Sequence, residues 1–165
     1  MLRVDPVGEH EWATFREIRL RSLLDSSDAF GATYGEESSY SEPRWRDWAA
    51  GRWRGGAAAV YLAREDGDPV GTATVAEYDA EPGIAHIYAM WVAPGTRRTG
   101  AGRALLAAAA SWARERGCER LVLSVTESNA TARAFYAAVG FLETGDPRPL
   151  REGSDLQVLR MTYEL

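Results

Sequence analysis

A short stretch rich in arginine and glycine, RRTGAGR, runs from Arg97 to Arg103 and joins a strand-like run to a helix-like run. Free backbone N–H groups at a helix start, together with the helix dipole, attract an anion. Gly100 and Gly102 would let a bulky phosphate approach the backbone, and arginine adds bidentate contacts to phosphate oxygens. This combination predicts a pyrophosphate cradle, although a solvent-exposed turn explains the same residues. The stretch lacks both the GxGxxG dinucleotide pattern and the GK[ST] of a P-loop.

The sequence around this loop alternates between strand-like and helix-like patterns, and the mixture predicts one mixed α/β sheet with helices on both faces. The turn DGDP predicts a hairpin between two of the strands. The predicted strands are LRVDPV, AAAVYLARE, PVGTATVAEY, IAHIYAMWVAP, RLVLSVT, a strand that starts at FLETG, and LQVLRMTYEL. The predicted helices are EHEWATFREIRLRSLL, PRWRDWAAGRW, ALLAAAASWARERG and SNATARAFYAAVGF, and DPRPLREGSD is predicted to be a loop.

The composition is typical of a soluble globular protein, and the length predicts one domain over residues 1–165. No apolar run approaches the roughly 20 residues that span a bilayer, and the N-terminus has no signal-peptide core. The single cysteine, Cys118, excludes an internal disulfide and fits a reducing, cytoplasmic location. The net charge of -5 argues against nucleic acid as a partner and favours a cationic substrate such as an amine.

A second stretch, LSVTESNATARAFYAAVGF, places Asn129 at a helix start and Tyr136 two turns later, before a closing Gly-Phe pair. Together with WVAPGTRRTGAGRALL, this stretch resembles the GCN5-related N-acetyltransferase (GNAT) family. Arg97, Gly100 and Gly102 match the acetyl-CoA signature of that family, Q/R-x-x-G-x-G/A. The resemblance implies the GNAT fold, with a central mixed, mostly antiparallel sheet of about seven strands. It also implies acetyl-CoA as the co-substrate, with no metal.

The resemblance assigns residues to the cofactor. Backbone amides of the arginine–glycine loop would bind the CoA pyrophosphate, and the preceding strand would pair its backbone with the pantetheine arm and direct one amide at the thioester oxygen. Asn129 matches the asparagine that bonds pantetheine, and Tyr136 matches the tyrosine that protonates the leaving thiolate. A helix cap and a buried aromatic ring are the structural alternatives for these two residues. The implied set is Met90, Trp91, Val92, Arg97, Arg98, Thr99, Gly100, Ala101, Gly102, Arg103, Asn129 and Tyr136.

A protonated amine must lose a proton before it attacks the thioester, so the reaction needs a general base. Two residues are candidates for this base. Ribosomal-protein N-terminal acetyltransferases use a glutamate five residues before the asparagine, where this chain has Ser124, which lowers the case for protein N-termini as substrates. His86 matches the position that other members use on the strand before the loop, and its ordinary pKa of about 6.5 suits a base at neutral pH. Glu77, on the neighbouring strand, is the second candidate, acting directly or through water. A packed sheet histidine and an edge carboxylate are the structural alternatives.

The resemblance places the acceptor between the first two helices and the loop before the last strand. The tryptophans of the second helix would line an aromatic pocket there, or would only pack that helix on the sheet. His86 and Tyr88 share one face of their strand, and a bulge near the cofactor would break this alternation further along. The predicted acceptor-binding residues are Phe30, Thr33, Tyr34, Glu36, Trp48, His86 and Tyr88.

The leading interpretation of the sequence is an acetyl-CoA-dependent N-acetyltransferase. The acetyl group would move to a primary amine of a small molecule by direct attack in a ternary complex. The alternatives are a protein or peptide N-terminal acetyltransferase and a non-catalytic CoA-binding module, against which Tyr136 counts. Cys118 is interpreted as structural. The family resemblance also points to a homodimer, with no nucleic acid or membrane partner.

Overall fold

An eight-stranded sheet organises the chain, and the computed structural model describes all 165 residues. The strands are β1 (Leu2–Pro6), β2 (Arg52–Trp53), β3 (Gly56–Glu65), β4 (Asp68–Glu77), β5 (Ile84–Val92), β6 (Arg120–Thr126), β7 (Leu142–Pro149) and β8 (Gln157–Glu164). The helices are α1 (Trp12–Asp25), α2 (Tyr34–Ser38), α3 (Glu42–Ala49), α4 (Ala101–Glu115) and α5 (Ala130–Val139), with 3₁₀ turns at Glu9–Glu11, Ser27–Ala29 and Pro94–Thr96.

The strands are ordered β1-β3-β4-β5-β6-β8-β7, and the short β2 pairs with β3. Every neighbouring pair is antiparallel except β5 and β6, which run parallel. The predicted mixed, mostly antiparallel sheet is therefore confirmed. A parallel pair needs a crossover, and α4 supplies it between β5 and β6.

Helices cover both faces of the sheet, because successive residues of a strand point to opposite sides. On one face, Phe15 of α1 and Trp48 of α3 pack in a buried cluster with Val60 of β3. On the other face, α4 packs Leu106 and Ala109 against β4, β5 and β6 in a second cluster, and α5 adjoins the same cluster. No helix is both long and apolar enough to cross a bilayer.

The segment predicted as a proline-rich loop is partly a strand, so that prediction was wrong for its first half. β7 continues through Pro149 and pairs with β8, although the register shifts between Thr144 and Arg148. Proline lacks the N–H that a central strand needs, but an edge strand tolerates it on the open side. β7 is the edge of the sheet, which explains why the prolines do not end it.

Candidate active site

A cavity of about 1330 Å³ opens where β5 and β6 separate. Their parallel pairing is limited to three residue pairs, the last of which joins His86 to Val122. Beyond that point no strand pairs with this edge of β5, and the cavity is lined by residues 87–92 of β5 and 122–126 of β6. An extended ligand can therefore lie along the unpaired edge of β5 and bond to its backbone.

A β-bulge in β5 lies inside the cavity. Thr72 of β4 pairs with Trp91 and Thr74 pairs with Tyr88, so Ala89 and Met90 together face a single residue of β4. Ala89 has a φ of 53°, which is an unusual conformation for a residue with a side chain. The bulge predicted near the cofactor is therefore present. It turns Met90 towards the α4 face and Trp91 towards the α1 face.

The arginine–glycine loop lies at one end of this cavity, next to the start of α4. Gly100 is the N-cap residue of α4 and has a φ of 93°, a conformation that glycine adopts without strain. A Cβ atom on Gly100 would project into open space, whereas one on Gly102 would lie 3.0 Å from the Phe135 ring. The glycines thus have different structural roles: Gly100 shapes the loop in front of the α4 amides, and Gly102 makes room for α5.

Two arginines of the loop differ in their contacts. Arg97 donates from Nε to the Val92 carbonyl at 2.9 Å and from Nη2 to Asp25 at 3.3 Å, so it fastens the loop to the end of β5 and to α1. Arg98 has a φ of 68° and forms no ion pair, which leaves its guanidinium available to an anion. Arg97, Arg98 and Gly102 line the cavity, while Thr99, Gly100, Ala101 and Arg103 lie outside its lining.

Replacing Gly100 with Val is expected to weaken CoA binding at least about tenfold. The left-handed backbone would cost a residue with a side chain about 1–2 kcal/mol, and the new methyl groups would stand in the open space in front of the α4 amides, where the predicted pyrophosphate would bind. Isothermal titration calorimetry with CoA measures this directly. Gly95→Val is the matched control, since a Cβ at Gly95 also meets open space but its backbone is not left-handed. Equal CoA affinity in the two variants would show that Gly100 does not contribute to the predicted pyrophosphate cradle.

The helix α5 brings Asn129 and Tyr136 to the cavity wall. Asn129 caps the helix by accepting a hydrogen bond from the Ala132 N–H at 3.1 Å, so it has the helix-capping role that was the structural alternative. Its side-chain amide nitrogen remains free to donate to a ligand. Burial raises the pKa of Tyr136 to about 12. Its phenol is therefore fully protonated at neutral pH and can act as a proton donor.

His86 faces the α1 side of the sheet, and its side chain is only 12% exposed. Its Nε2 lies 2.8 Å from Oε2 of Glu81, but the two atoms do not form a well-aligned hydrogen bond, and the contact becomes an ion pair only when His86 is protonated. Burial lowers the pKa of His86 below its ordinary value and Arg160 adds to this effect, while Glu81 opposes it. A neutral imidazole is the form that accepts a proton from an amine.

Glu81 was not predicted from the sequence. It belongs to the turn between β4 and β5, and it bridges His86 and Arg160, whose guanidinium lies 3.4 Å from its other oxygen. The only signal in the sequence is an acidic residue close before the strand that carries His86.

The pH dependence of the proposed reaction should report the state of His86. Activity should fall as pH drops through the pKa of His86, and the midpoint should lie below the ordinary value of about 6.5 because burial lowers that pKa. Glu81→Gln removes the charge that raises the pKa, so the midpoint should move to still lower pH. The kcat/KM profile measures both effects. His10→Ala changes the other histidine, which is 84% exposed, and should leave the profile unchanged; an unmoved midpoint in Glu81→Gln would contradict the assignment.

Glu77 lies on the opposite face of the sheet from His86, which corrects its prediction as a base. Ala76 pairs with His86, so the next residue points towards α4. There Glu77 accepts hydrogen bonds from Arg116 at 3.2 Å and from the thiol of Cys118 at 3.1 Å. It does not line the cavity, and a proton path from it would have to cross the sheet. Cys118 is buried in this contact, as expected for a structural residue.

The predicted acceptor-binding residues divide into two groups. The cavity is lined by Phe30, Trp48, His86 and Tyr88, and the rings of His86 and Tyr88 stack at 6.0 Å. Trp48 also donates to Thr74 at 3.0 Å, so it both packs α3 on the sheet and forms the cavity wall.

Thr33, Tyr34 and Glu36 do not reach the cavity, which corrects their predicted role as lining residues. Thr33 caps α2 by accepting the Glu36 N–H at 3.2 Å and donates to the Glu36 carboxylate at 3.1 Å. The buried neighbour Glu37 reaches the cavity instead. It pairs with Arg19 at 2.7 Å, and both side chains are less than 5% exposed.

The open sheet, the separation of β5 from β6 and the loop before α4 are the features of the fold that form the cavity. The family model of the Acetyltransferase (GNAT) family matches residues 12–141, and the chain belongs to this family.

Its relatives include an aminoglycoside N(6')-acetyltransferase type 1 of Klebsiella aerogenes, which is 32% identical over 58% of this chain and 66% of its own length. A streptothricin acetyltransferase of Streptomyces lavendulae is 43% identical over 54% of this chain and 47% of its own length. The chain thus matches about half to two thirds of these relatives. Among solved structures, yncA of Salmonella typhimurium, determined with its cofactor acetyl-CoA, has a TM-score of 0.79 at 20% identity over 100% of this chain and 94% of its own.

Proposed function

We propose that this protein is an acetyl-CoA-dependent N-acetyltransferase that acts on a primary amine of a small molecule. The observation that carries the proposal is that one cavity is lined by the unpaired edge of β5, by Tyr136 and by His86. An acyl donor, a proton donor and a proton acceptor are the three parts that direct acetyl transfer needs.

The residues present fit acetyl-CoA. The α4 amides behind Gly100, together with Arg98, would hold the pyrophosphate at the end of the cavity. The pantetheine arm would lie along residues 90–92 of β5, whose edge no strand covers beyond His86. The free amide nitrogen of Asn129 would bond to the same arm from the side of α5.

In the proposed mechanism His86 removes a proton from the acceptor and Tyr136 donates a proton to the leaving group. His86 takes one proton from the acceptor ammonium, and the free amine attacks the thioester carbon, so that a C–N bond forms and the carbonyl oxygen becomes an oxyanion. A backbone amide of β5 near the bulge would donate to the oxyanion of the tetrahedral intermediate. When the intermediate collapses, the C–S bond breaks and Tyr136 gives its proton to the departing thiolate, while the nitrogen loses its second proton to water and Tyr136 is reprotonated from water. Burial raises the pKa of Tyr136 to about 12, so the phenol holds this proton at neutral pH until the thiolate departs.

Two observations support a small amine over a protein N-terminus. Both relatives named above are acetyltransferases of small antibiotics by name, whereas the ribosomal-protein acetyltransferase structures that resemble this chain are only 21–22% identical. Ser124 lines the cavity but brings no carboxylate to it, and it accepts a hydrogen bond from Arg148 at 3.3 Å.

The proposal is tested by thiol release from acetyl-CoA across a panel of primary amines, with the concentrations of both substrates varied. Direct attack in a ternary complex predicts intersecting double-reciprocal lines, whereas an acetylated enzyme would give parallel lines. His86→Ala should lose most of the amine-dependent rate. Tight CoA binding without transfer to any amine would instead favour a CoA-binding module.

A further inference from the structure

The cavity has a charge opposite in sign to that of the whole chain. The chain carries a net charge of -5, yet six arginines and only two glutamates line the cavity. The local potential decides which ligand is attracted, because low-dielectric walls concentrate the field of nearby charges. The total charge therefore does not describe the potential inside this site. The lining charges are Arg19, Arg54, Arg97, Arg98, Arg148, Arg160, Glu37 and Glu81.

Three of the six arginines are occupied by carboxylates. Arg19 pairs with Glu37, Arg97 pairs with Asp25, and Arg160 pairs with Glu81. The other three have no carboxylate within 4.0 Å, and Arg98 belongs to the loop at the cofactor end. This leaves two uncompensated arginines, Arg54 and Arg148, for the acceptor end.

Arg148 lies on the same face of the sheet as His86, further along the strands. His86 pairs with Val122 of β6, and two residues further along Ser124 pairs with Arg160 of β8. Val158, two residues before Arg160, pairs with Arg148 of β7, so these positions all point to the α1 face. Arg148 donates to Ser124 at 3.3 Å, which holds its guanidinium over this face of β6.

Arg54 adds positive charge from the opposite wall. It belongs to the turn between β2 and β3, where its guanidinium lies 4.9 Å from the Trp53 ring and 5.3 Å from the Tyr88 ring. Tyr88 in turn stacks on His86. Arg54 therefore approaches the proton acceptor by way of Tyr88, Arg160 approaches it by way of Glu81, and Arg148 lies further along the same face.

We propose that the acceptor is a primary amine that also carries an anionic group, a carboxylate or a phosphonate, which Arg148 binds while the amine faces His86. This inference rests on the proposed function. Arginine binds both kinds of anion through paired N–H groups. Arg54 disfavours polycationic acceptors by charge repulsion, so the chain should differ in specificity from its aminoglycoside-acetylating relative.

A matched set of probes tests the proposal. Phenylalanine, its amide and its 1-aminoalkylphosphonate analogue share one aromatic body suited to the aromatic walls, and spermidine serves as a polycation. Calorimetry on the CoA-saturated protein and acetyl-transfer rates would be measured for each. We expect the acid or the phosphonate to be favoured over the amide about tenfold or more, and whichever is preferred identifies the anion. Arg148→Gln should abolish this preference, while Arg120→Gln, which changes an exposed arginine outside the cavity, should keep it.

The outcomes distinguish a failure of this inference from a failure of the proposed function. Transfer that is indifferent to the anionic group, or that favours the amide or spermidine, overturns the inference and leaves the acetyltransferase intact. Anion binding that depends on Arg148, without transfer to any amine, supports the anion site and contradicts the proposed function. If neither the acid nor the phosphonate binds, the inference fails.

Discussion

Replacing Tyr136 with Phe should lower kcat about 10²–10⁴-fold while the affinity for CoA changes little. The substitution removes one hydroxyl from a residue that lines the cavity, and the ring can keep its contacts with Phe135 and Phe141. Burial raises the pKa of Tyr136 to about 12, so the hydroxyl carries no charge at neutral pH that could hold the cofactor, and in the proposed mechanism it gives its proton to the leaving thiolate. The substitution should therefore lower kcat and leave the affinity for CoA nearly unchanged.

Steady-state kinetics and CoA titration of the same variant separate the two effects. Tyr163→Phe is a matched control, because Tyr163 packs on Phe141 in the same aromatic group but lies outside the cavity lining. It should keep the kcat of the unmodified protein. If Tyr136→Phe turns over as fast as this control, the leaving thiolate takes its proton from elsewhere.

Glu37→Gln should be among the most destabilising single changes in the chain, at about 3–5 kcal/mol. Its carboxylate holds the guanidinium of Arg19 through two oxygens, at 2.7 and 3.3 Å, and both residues are buried. The variant leaves the buried Arg19 charge without its partner. Arg19 also stacks on Phe30 at 4.6 Å, so the loss should spread to the cavity wall.

Urea unfolding followed by circular dichroism gives the free energy of unfolding for this test. Glu36→Gln is the natural control, since it makes the same chemical change one residue away at an exposed position. Its effect should stay within about 1 kcal/mol. If the two variants unfold at the same urea concentration, the Arg19–Glu37 pair contributes little to stability.

The elements around the cofactor end could be predicted from the sequence because their signals are local. The glycines before α4 and the asparagine that caps α5 act on their own backbone, so a short stretch contains the information. The bulge in β5 was also expected, and the structure places it at Ala89.

The residues of the acceptor end could be predicted only in part, because they are brought together by the pairing of strands that are distant in the sequence. Whether Glu77 shares a face with His86 depends on the register of β4 on β5, which a single strand does not reveal. Glu81, Arg148 and Arg160 come from a turn and two other strands, and only the folded sheet brings them near His86. A cytoplasmic location and a homodimer stay predictions of the sequence.

Transfer of a labelled acetyl group tests the central claim most directly. The protein would be incubated with trideuteroacetyl-CoA and a mixture of anionic and neutral primary amines, and the products would be analysed by mass spectrometry. The account predicts an amine that gains one deuterated acetyl group on nitrogen, in an amount equal to the free CoA released, and a product that Tyr136→Phe forms about 10²–10⁴-fold more slowly. Label that appears only as free acetate, or that stays on CoA while the protein binds it, would contradict an acetyltransferase.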